Sequence, residues 1–231
     1  MQVWRLWVDT LGPGRDDLAM LLSDEERARA DRFRFAPDRR RFVVTHAWLR
    51  QILGHYLDRD PGEVRFVPNR WGKPEIDGEA GSMAVGLSIS HSADLALAAI
   101  ACGRRVGVDV ERIRDDIDVM AIADGQFAPT ERRALHALPP AMRCRAFFTC
   151  WTRKEAYVKA DGRGLSIPFD AFDVAVSSVE PAGLLSASWE SGEASLWSWR
   201  DLDAAPGYAA ALVVEGRHPL PAPAWQEWHE L

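Results

Sequence analysis

Lysine is nearly missing from this chain: of 28 basic residues only Lys73, Lys154 and Lys159 are lysines. A compact ammonium and a planar guanidinium are not interchangeable, so two of three lysines five positions apart mark a place that needs the former. A positive balance is also lacking, and the net charge of −6 argues against a general nucleic-acid binder. No apolar run approaches the roughly 20 residues that span a bilayer. The N-terminus, Met1-Gln-Val-Trp-Arg-Leu-Trp-Val-Asp9, alternates like a strand and lacks the basic start and unbroken apolar run of a secretion signal. Cys102, Cys144 and Cys150 are odd in number and have no metal-ligand spacing, which points to a reduced, cytoplasmic protein. What is present is ordinary globular composition, 47% hydrophobic and 27% charged, over 231 residues. That length accommodates one large domain or two small ones.

After the first strand and a Gly12-Pro13-Gly14 turn, Ser23 and Glu26 have the spacing of a capping box and open a helix. This helix and the next carry Arg27, Arg29, Arg32, Arg34, Arg39, Arg40, Arg41 and Arg50, a basic island suited to phosphate, although most of it reads as a solvated face. Arg41 stands apart, because the apolar Phe42-Val-Val follows it. Pro37 separates the two helices, and Phe42 to Leu57 has helical apolar spacing with Asp58-Arg-Asp-Pro-Gly as its stop. Val64-Arg-Phe-Val reads as a short strand and Asn69-Arg-Trp-Gly-Lys-Pro74 as a loop. Leu87-Ser-Ile-Ser-His-Ser92 alternates like a strand, Leu95 to Ala101 reads as a buried one, and Cys102-Gly-Arg-Arg105 turns it into Val106–Glu111, so the pair reads as a hairpin.

In Val106-Gly-Val-Asp-Val-Glu111, period two puts the valines on one face and Asp109 with Glu111 on the other. Like charges so close raise a carboxyl pKa, and a divalent cation relieves that repulsion; Mg²⁺ is typically held by one or two carboxylates with substrate phosphates and water. A solvated strand end is the plain alternative. Asp115 to Leu138 reads as charged and loop-rich, with a short helix from Thr130. Trp151 to Ala160 is a helix of good formers that places Trp151, Glu155 and Lys159 in one stripe, ending at Gly162 and Gly164. Strands follow at Phe172–Val176, Ala194–Trp199 and Tyr208–Val214, the last resembling Leu95–Ala101, so an internal duplication is expected. The segment from Pro219 reads as a surface-laid tail.

Asp109, Glu111, Glu155 and Lys159 are the parts of phosphoryl chemistry. The residues alone leave open transfer from a phosphate-containing cofactor and metal-dependent nucleic-acid cleavage. Four stretches in order, Trp71-Gly-Lys-Pro74, Ser88-Ile-Ser-His-Ser92, Gly107-Val-Asp-Val-Glu111 and Trp151 to Lys159 with Gly162-Arg-Gly-Leu165, resemble the surfactin-type (Sfp-like) 4′-phosphopantetheinyl transferases. The resemblance implies an α+β fold of two similar halves, 1–103 and 104–231, forming a pseudo-dimer with the cofactor cleft between them. It implies transfer of 4′-phosphopantetheine from coenzyme A to a serine of an acyl or peptidyl carrier protein, with Mg²⁺ on Asp109, Glu111 and Glu155. In that family's pattern Glu155 is also the general base and Lys159 contacts the pyrophosphate. Arg41 and His91 match phosphate contacts, Gly72, Lys73 and Pro74 match the adenine segment, and Ser90 and Asp109 match further cofactor contacts. One departure is that Glu26 and Arg29 stand where members often have two lysines for the 3′-phosphate. The resemblance also implies a monomer that docks an acidic carrier through arginines, the carrier belonging to nonribosomal peptide, polyketide, siderophore or fatty-acid synthesis. A non-catalytic coenzyme A or carrier-protein binding module is the alternative.

Overall fold

The computed structural model describes residues 1–8, 16–78, 84–177, 181–187, 196–217, 220 and 225–227. The Gly12-Pro13-Gly14 turn and residues Ala194 and Ser195 of the expected strand lie outside the described residues. The first half runs β1 (Gln2–Trp7), α1 (Asp24–Ala30), α2 (Ala36–Leu57), β2 (Phe66–Pro68), β3 (Pro74–Ile76), β4 (Val85–Ser92) and β5 (Leu95–Cys102). The second runs β6 (Val106–Arg112), α3 (Val119–Gln126), α4 (Pro129–Ala137), α5 (Pro140–Asp161), β7 (Phe172–Val174), β8 (Leu184–Ala187), β9 (Trp197–Asp201) and β10 (Tyr208–Glu215), followed by β11 (Trp225–Glu227).

Local signals set the main helices. Ser23 and Glu26 close the capping box of α1 as their spacing predicts. Pro37 sits in the first turn of α2, where its missing N–H costs nothing. That helix stops at Asp58, held at a left-handed φ of 52° with its N–H on the Gly54 carbonyl. Gly162, at φ 88°, ends α5 with its N–H on Val158.

The duplication is visible in the topology. One sheet has the order β1-β5-β4 with β11 added at its β1 edge, and the other has the order β6-β10-β9. In each, a strand leads into a 22-residue helix, and the chain returns as two antiparallel strands of which the last lies in the middle. Alternation then builds four layers. Ala96, Ala98 and Ile100 of β5 share a core with Val44, Trp48 and Ile52 of α2. Ala209, Ala211 and Val213 of β10 share another with Phe147, Tyr157 and Ala160 of α5. Leu95, Leu97 and Ala99 meet Val106, Val108, Val110 and Leu212 in a third core between the sheets. This is the pseudo-dimeric α+β arrangement the resemblance implies.

Three expectations are corrected. β5 and β6 do not form a hairpin: β5 pairs with β1 and β4, β6 pairs with β10, and residues 102–105 cross from one sheet to the other. The stretch expected to be loop-rich contains α3, whose N-cap Asp118 accepts from the Ala121 N–H. Within the expected surface tail, Trp225–Glu227 pairs in parallel with Val3–Arg5 of β1, and Leu220 is buried.

Gly107 on β6 brings α5 to the sheet. A Cβ at this position would lie 1.9 Å from the Ala156 carbonyl oxygen and 2.4 Å from the Ala160 nitrogen, both main-chain atoms that cannot turn aside. Only glycine permits this approach, and it sets α5 directly over Asp109 and Glu111, which share the Gly107 face of β6.

Candidate active site

From Trp151 to Ala160, α5 is buried everywhere except at Trp151, Glu155 and Lys159. The stripe read from the sequence is therefore the open face, and the intervening cations are inside. Lys154 is fully buried and uses its ammonium on Glu131 (2.8 Å) and on the carbonyls of Phe169 (2.6 Å) and Phe172 (2.5 Å). Arg153 is fully buried too, forked on Asp201 at 2.9 and 2.5 Å with further bonds to the Ala175 and Ser177 carbonyls. These side chains lock the helix axially and rotationally, which fixes where Glu155 and Lys159 emerge. Trp151 packs on Phe127, Phe147 and Phe169 and anchors the helix in the core.

Opposite the open stripe, Asp109 is 3% exposed. Its Oδ1 accepts from Lys159 Nζ (2.6 Å) and Ser90 Oγ (2.7 Å), while its Oδ2 is buried with no protein partner. Glu111 accepts from Ser92 Oγ at 2.7 Å. Burial raises the Glu111 carboxyl pKa above the ordinary value against the Ser92 bond, with the Asp109 charge adding to it. Burial, Asp109 and Glu111 raise Glu155 against the pull of Lys159. The repulsion between Asp109 and Glu111 that the strand period predicts is thus present, and Glu155 joins it from α5. Among the described residues, no group of three or more His, Cys, Asp or Glu side chains is placed to hold a metal ion by itself. The ammonium of Lys159 rests on Asp109, the acid across the gap, rather than on Glu155 one turn back.

A cleft of about 1200 Å³ runs between the halves, from α1 and α2 past residues 62–77 to the C-terminal turn of α5. Gly72, Lys73, Pro74 and Lys159 line it, with Arg27, Arg29, Arg50 and Arg65 among its other cations. Lys73 faces inward: its Nζ donates to the carbonyls of Lys159 (2.6 Å) and Val106 (3.3 Å), and burial pushes its ammonium down to about 8. Asn69 accompanies it, donating to the Gly162 carbonyl at 3.2 Å. The loop of the first half is thereby fastened to the end of α5. Arg41 does not line the cleft; it pairs with Asp38 (3.3 Å) and Asp94 (3.2 Å). His91 is exposed near the end of β4; partial desolvation, then the charges of Lys159, His46 and Arg41, hold its imidazole below the ordinary pKa.

The sequence marks Glu26 as a capping-box residue and as a departure from the family's lysine, and does not single out His46. Glu26 accepts from Arg50 Nε (2.7 Å) and the Ser23 N–H (2.9 Å) and pairs with His46 Nδ1 (2.9 Å). His46 and Arg50 are four apart on α2, a spacing that signals one shared helix face. Burial pushes the Glu26 carboxyl up, but the His46, Ser23 and Arg50 bonds outweigh it and hold the group at about 2. A carboxyl depressed on folding stabilises above its unfolded pKa and loses that contribution as pH falls through the folded one. Relative to Glu26→Gln, the protein is expected to be more stable by roughly 3 kcal/mol at pH 6. Denaturant titrations should show that margin shrinking between pH 4.5 and pH 2. A margin that stays constant would show that the carboxyl is not depressed.

A family model described as the 4′-phosphopantetheinyl transferase superfamily matches residues 105–213, and one described as 4′-phosphopantetheinyl transferase, N-terminal, matches residues 13–102. The chain is 36% identical to the 4′-phosphopantetheinyl transferase HetI of Nostoc sp., over 94% of this chain and 88% of that protein. It is 29% identical to a 4′-phosphopantetheinyl transferase of Bacillus subtilis over 75% of this chain and 76% of the relative. It is 28% identical to the transferase Sfp of Bacillus subtilis over 66% of each. With a relative so similar along nearly its whole length, and family models on both halves, the chain belongs to the 4′-phosphopantetheinyl transferase superfamily.

Proposed function

We propose that this enzyme transfers 4′-phosphopantetheine from coenzyme A to a serine hydroxyl of an apo acyl or peptidyl carrier protein, giving holo carrier protein and 3′,5′-ADP. The observation that carries the reading is Asp109, Glu111, Glu155 and Lys159 gathered beside the end of a cation-lined cleft between the halves. In this reading residues 1–103 supply most of the cofactor contacts and 104–231 the acids. Coenzyme A lies along the cleft with its adenine beside Gly72, Lys73 and Pro74 and its phosphates toward His91, Arg41 and Lys159. Ser90 contributes through its main chain, because its hydroxyl is committed to Asp109. Arg41 contributes by exchanging Asp38 or Asp94 for phosphate.

The donor set fits Mg²⁺. The ligands are all carboxylate oxygens, Asp109 Oδ2 is a buried acceptor without a protein donor, and the mutual repulsion of the three acids is what a dication relieves. Asp109, Glu111 and Glu155 would hold it, and when bound it neutralises pyrophosphate charge and steadies the charge that builds on the leaving group. Glu155, on the open stripe of α5, takes the proton from the carrier serine, whose oxygen bonds to the β-phosphorus as the bond to 3′,5′-ADP breaks. Positioned proton removal of this kind contributes typically about 10²–10⁴-fold. Lys159 shifts from Asp109 toward the departing phosphate and stabilises its charge in place. The enzyme acts as a cytoplasmic monomer on carrier proteins and not on nucleic acid. No helix among the described residues is long and apolar enough to cross a membrane.

Incubation with an apo carrier protein, coenzyme A and Mg²⁺ is expected to add the mass of phosphopantetheine to the carrier. Tight coenzyme A binding without that increment on any carrier would favour the binding-module alternative.

A further inference from the structure

Side-chain period two puts Ser88, Ser90 and Ser92 on one face of β4. All three hydroxyls reach across the seam to β6, on the other sheet, where they accept from the main-chain N–H groups of Val108 (3.0 Å), Val110 (3.3 Å) and Arg112 (3.0 Å). These donors sit on alternate residues, along the edge of β6 that pairs with no strand among the described residues. A serine hydroxyl that accepts still has its own proton to give. Ser90 gives it to Asp109 and Ser92 gives it to Glu111, each at 2.7 Å and each to the residue just before the one whose N–H it accepts. At the Ser88 step that preceding residue is Gly107, which has no side chain.

We infer that Ser90 and Ser92 are positioning residues: anchored on the β6 backbone, their hydroxyls aim the Asp109 and Glu111 carboxylates so that each keeps an oxygen available to a divalent cation. At Asp109 both protein donors fall on Oδ1, leaving Oδ2 buried and unpartnered. Because the serines belong to the first half and the acids to the second, the acid cluster takes its final geometry only when the halves are docked. This inference rests on the proposed role of these acids as cation ligands.

The test compares S90A and S92A with S90T and S92T, which keep the hydroxyl, and with S88A, which loses the same kind of seam bond but faces no acid. Removing a ligand's supporting hydrogen bond typically weakens metal binding about 10- to 100-fold. The Mg²⁺ concentration for half-maximal transfer is therefore expected to rise by that factor in S90A and S92A, with the coenzyme A KM little changed. The rise in thermal midpoint produced by Mn²⁺ with coenzyme A should shrink in parallel. S90T should restore both readouts, and S88A should lower the metal-free midpoint without moving the Mg²⁺ dependence. An unchanged Mg²⁺ requirement in S90A and S92A, or an equal shift in S88A, would overturn the inference. Wild-type protein that transfers nothing with any divalent cation would instead overturn the proposed function.

Discussion

Asp109→Asn is expected to lower phosphopantetheine transfer by at least about 10³-fold while leaving the unfolding midpoint unchanged or raised. The amide keeps the size of the carboxylate but offers no charge on the buried Oδ2, and it removes the counter-charge on which Lys159 rests. The same exchange relieves a strain of the fold, because the Asp109 charge helps push both Glu111 and Glu155 above the ordinary carboxyl pKa. A site arranged for a cation is costly to keep without one, which is how function and stability come to oppose each other. Transfer is read by carrier mass at saturating Mg²⁺ and stability by thermal melting without metal. Near-normal turnover would remove Asp109 from the chemistry, and a large fall in the midpoint would mark its role as structural.

Lys154→Met is expected to cost about 3–5 kcal/mol, the range for stranding one partner of a buried ion pair. Lys154 and Glu131 are both almost wholly inaccessible, and burial already raises the Glu131 carboxyl pKa against the pull of Lys154. Methionine fills most of the volume but abandons Glu131 and two carbonyls at once. Lys154→Arg should also fail, because a planar fork cannot reproduce three convergent contacts centred on one nitrogen. Adding Glu131→Gln should recover part of the loss by removing the uncompensated charge, and only part, since Glu131 also accepts from the Ala128 and Val174 N–H groups. Urea titration of the three variants measures these differences. A loss below about 1 kcal/mol for Lys154→Met would mean that water reaches the pair.

The acids were legible because a strand's period of two is rigid: once Val106, Val108 and Val110 face inward, Asp109 and Glu111 must face the other way. The stripe of α5 was legible for the same reason with a helical period. Which face of that helix is buried was not legible. Arg153 and Lys154 look like surface charges in one dimension, and only distant partners, Asp201, Glu131 and several carbonyls, make the inside habitable for them. The β5–β6 link failed for a related reason. Four residues with a glycine suit a tight hairpin and a crossing between stacked sheets equally, and two apolar strands fit either arrangement. The register that pairs Ser90 with Asp109 and Ser92 with Glu111 depends on that crossing, so the serines read as a strand end before the fold was known. α3 escaped because it is eight residues long, contains Gly125 and lies between charged segments.

By sequence β11 follows the second half, and by pairing it belongs to the first, where Val3 and Trp225 lie side by side. The sheets also share the apolar layer of Leu95, Leu97, Val106, Val108 and Leu212. A cut at Gly103 therefore divides the polypeptide without making two folding units, since each fragment would expose a sheet face that only the other covers. The molecule has the plan of a dimer for which dissociation is no longer an available step.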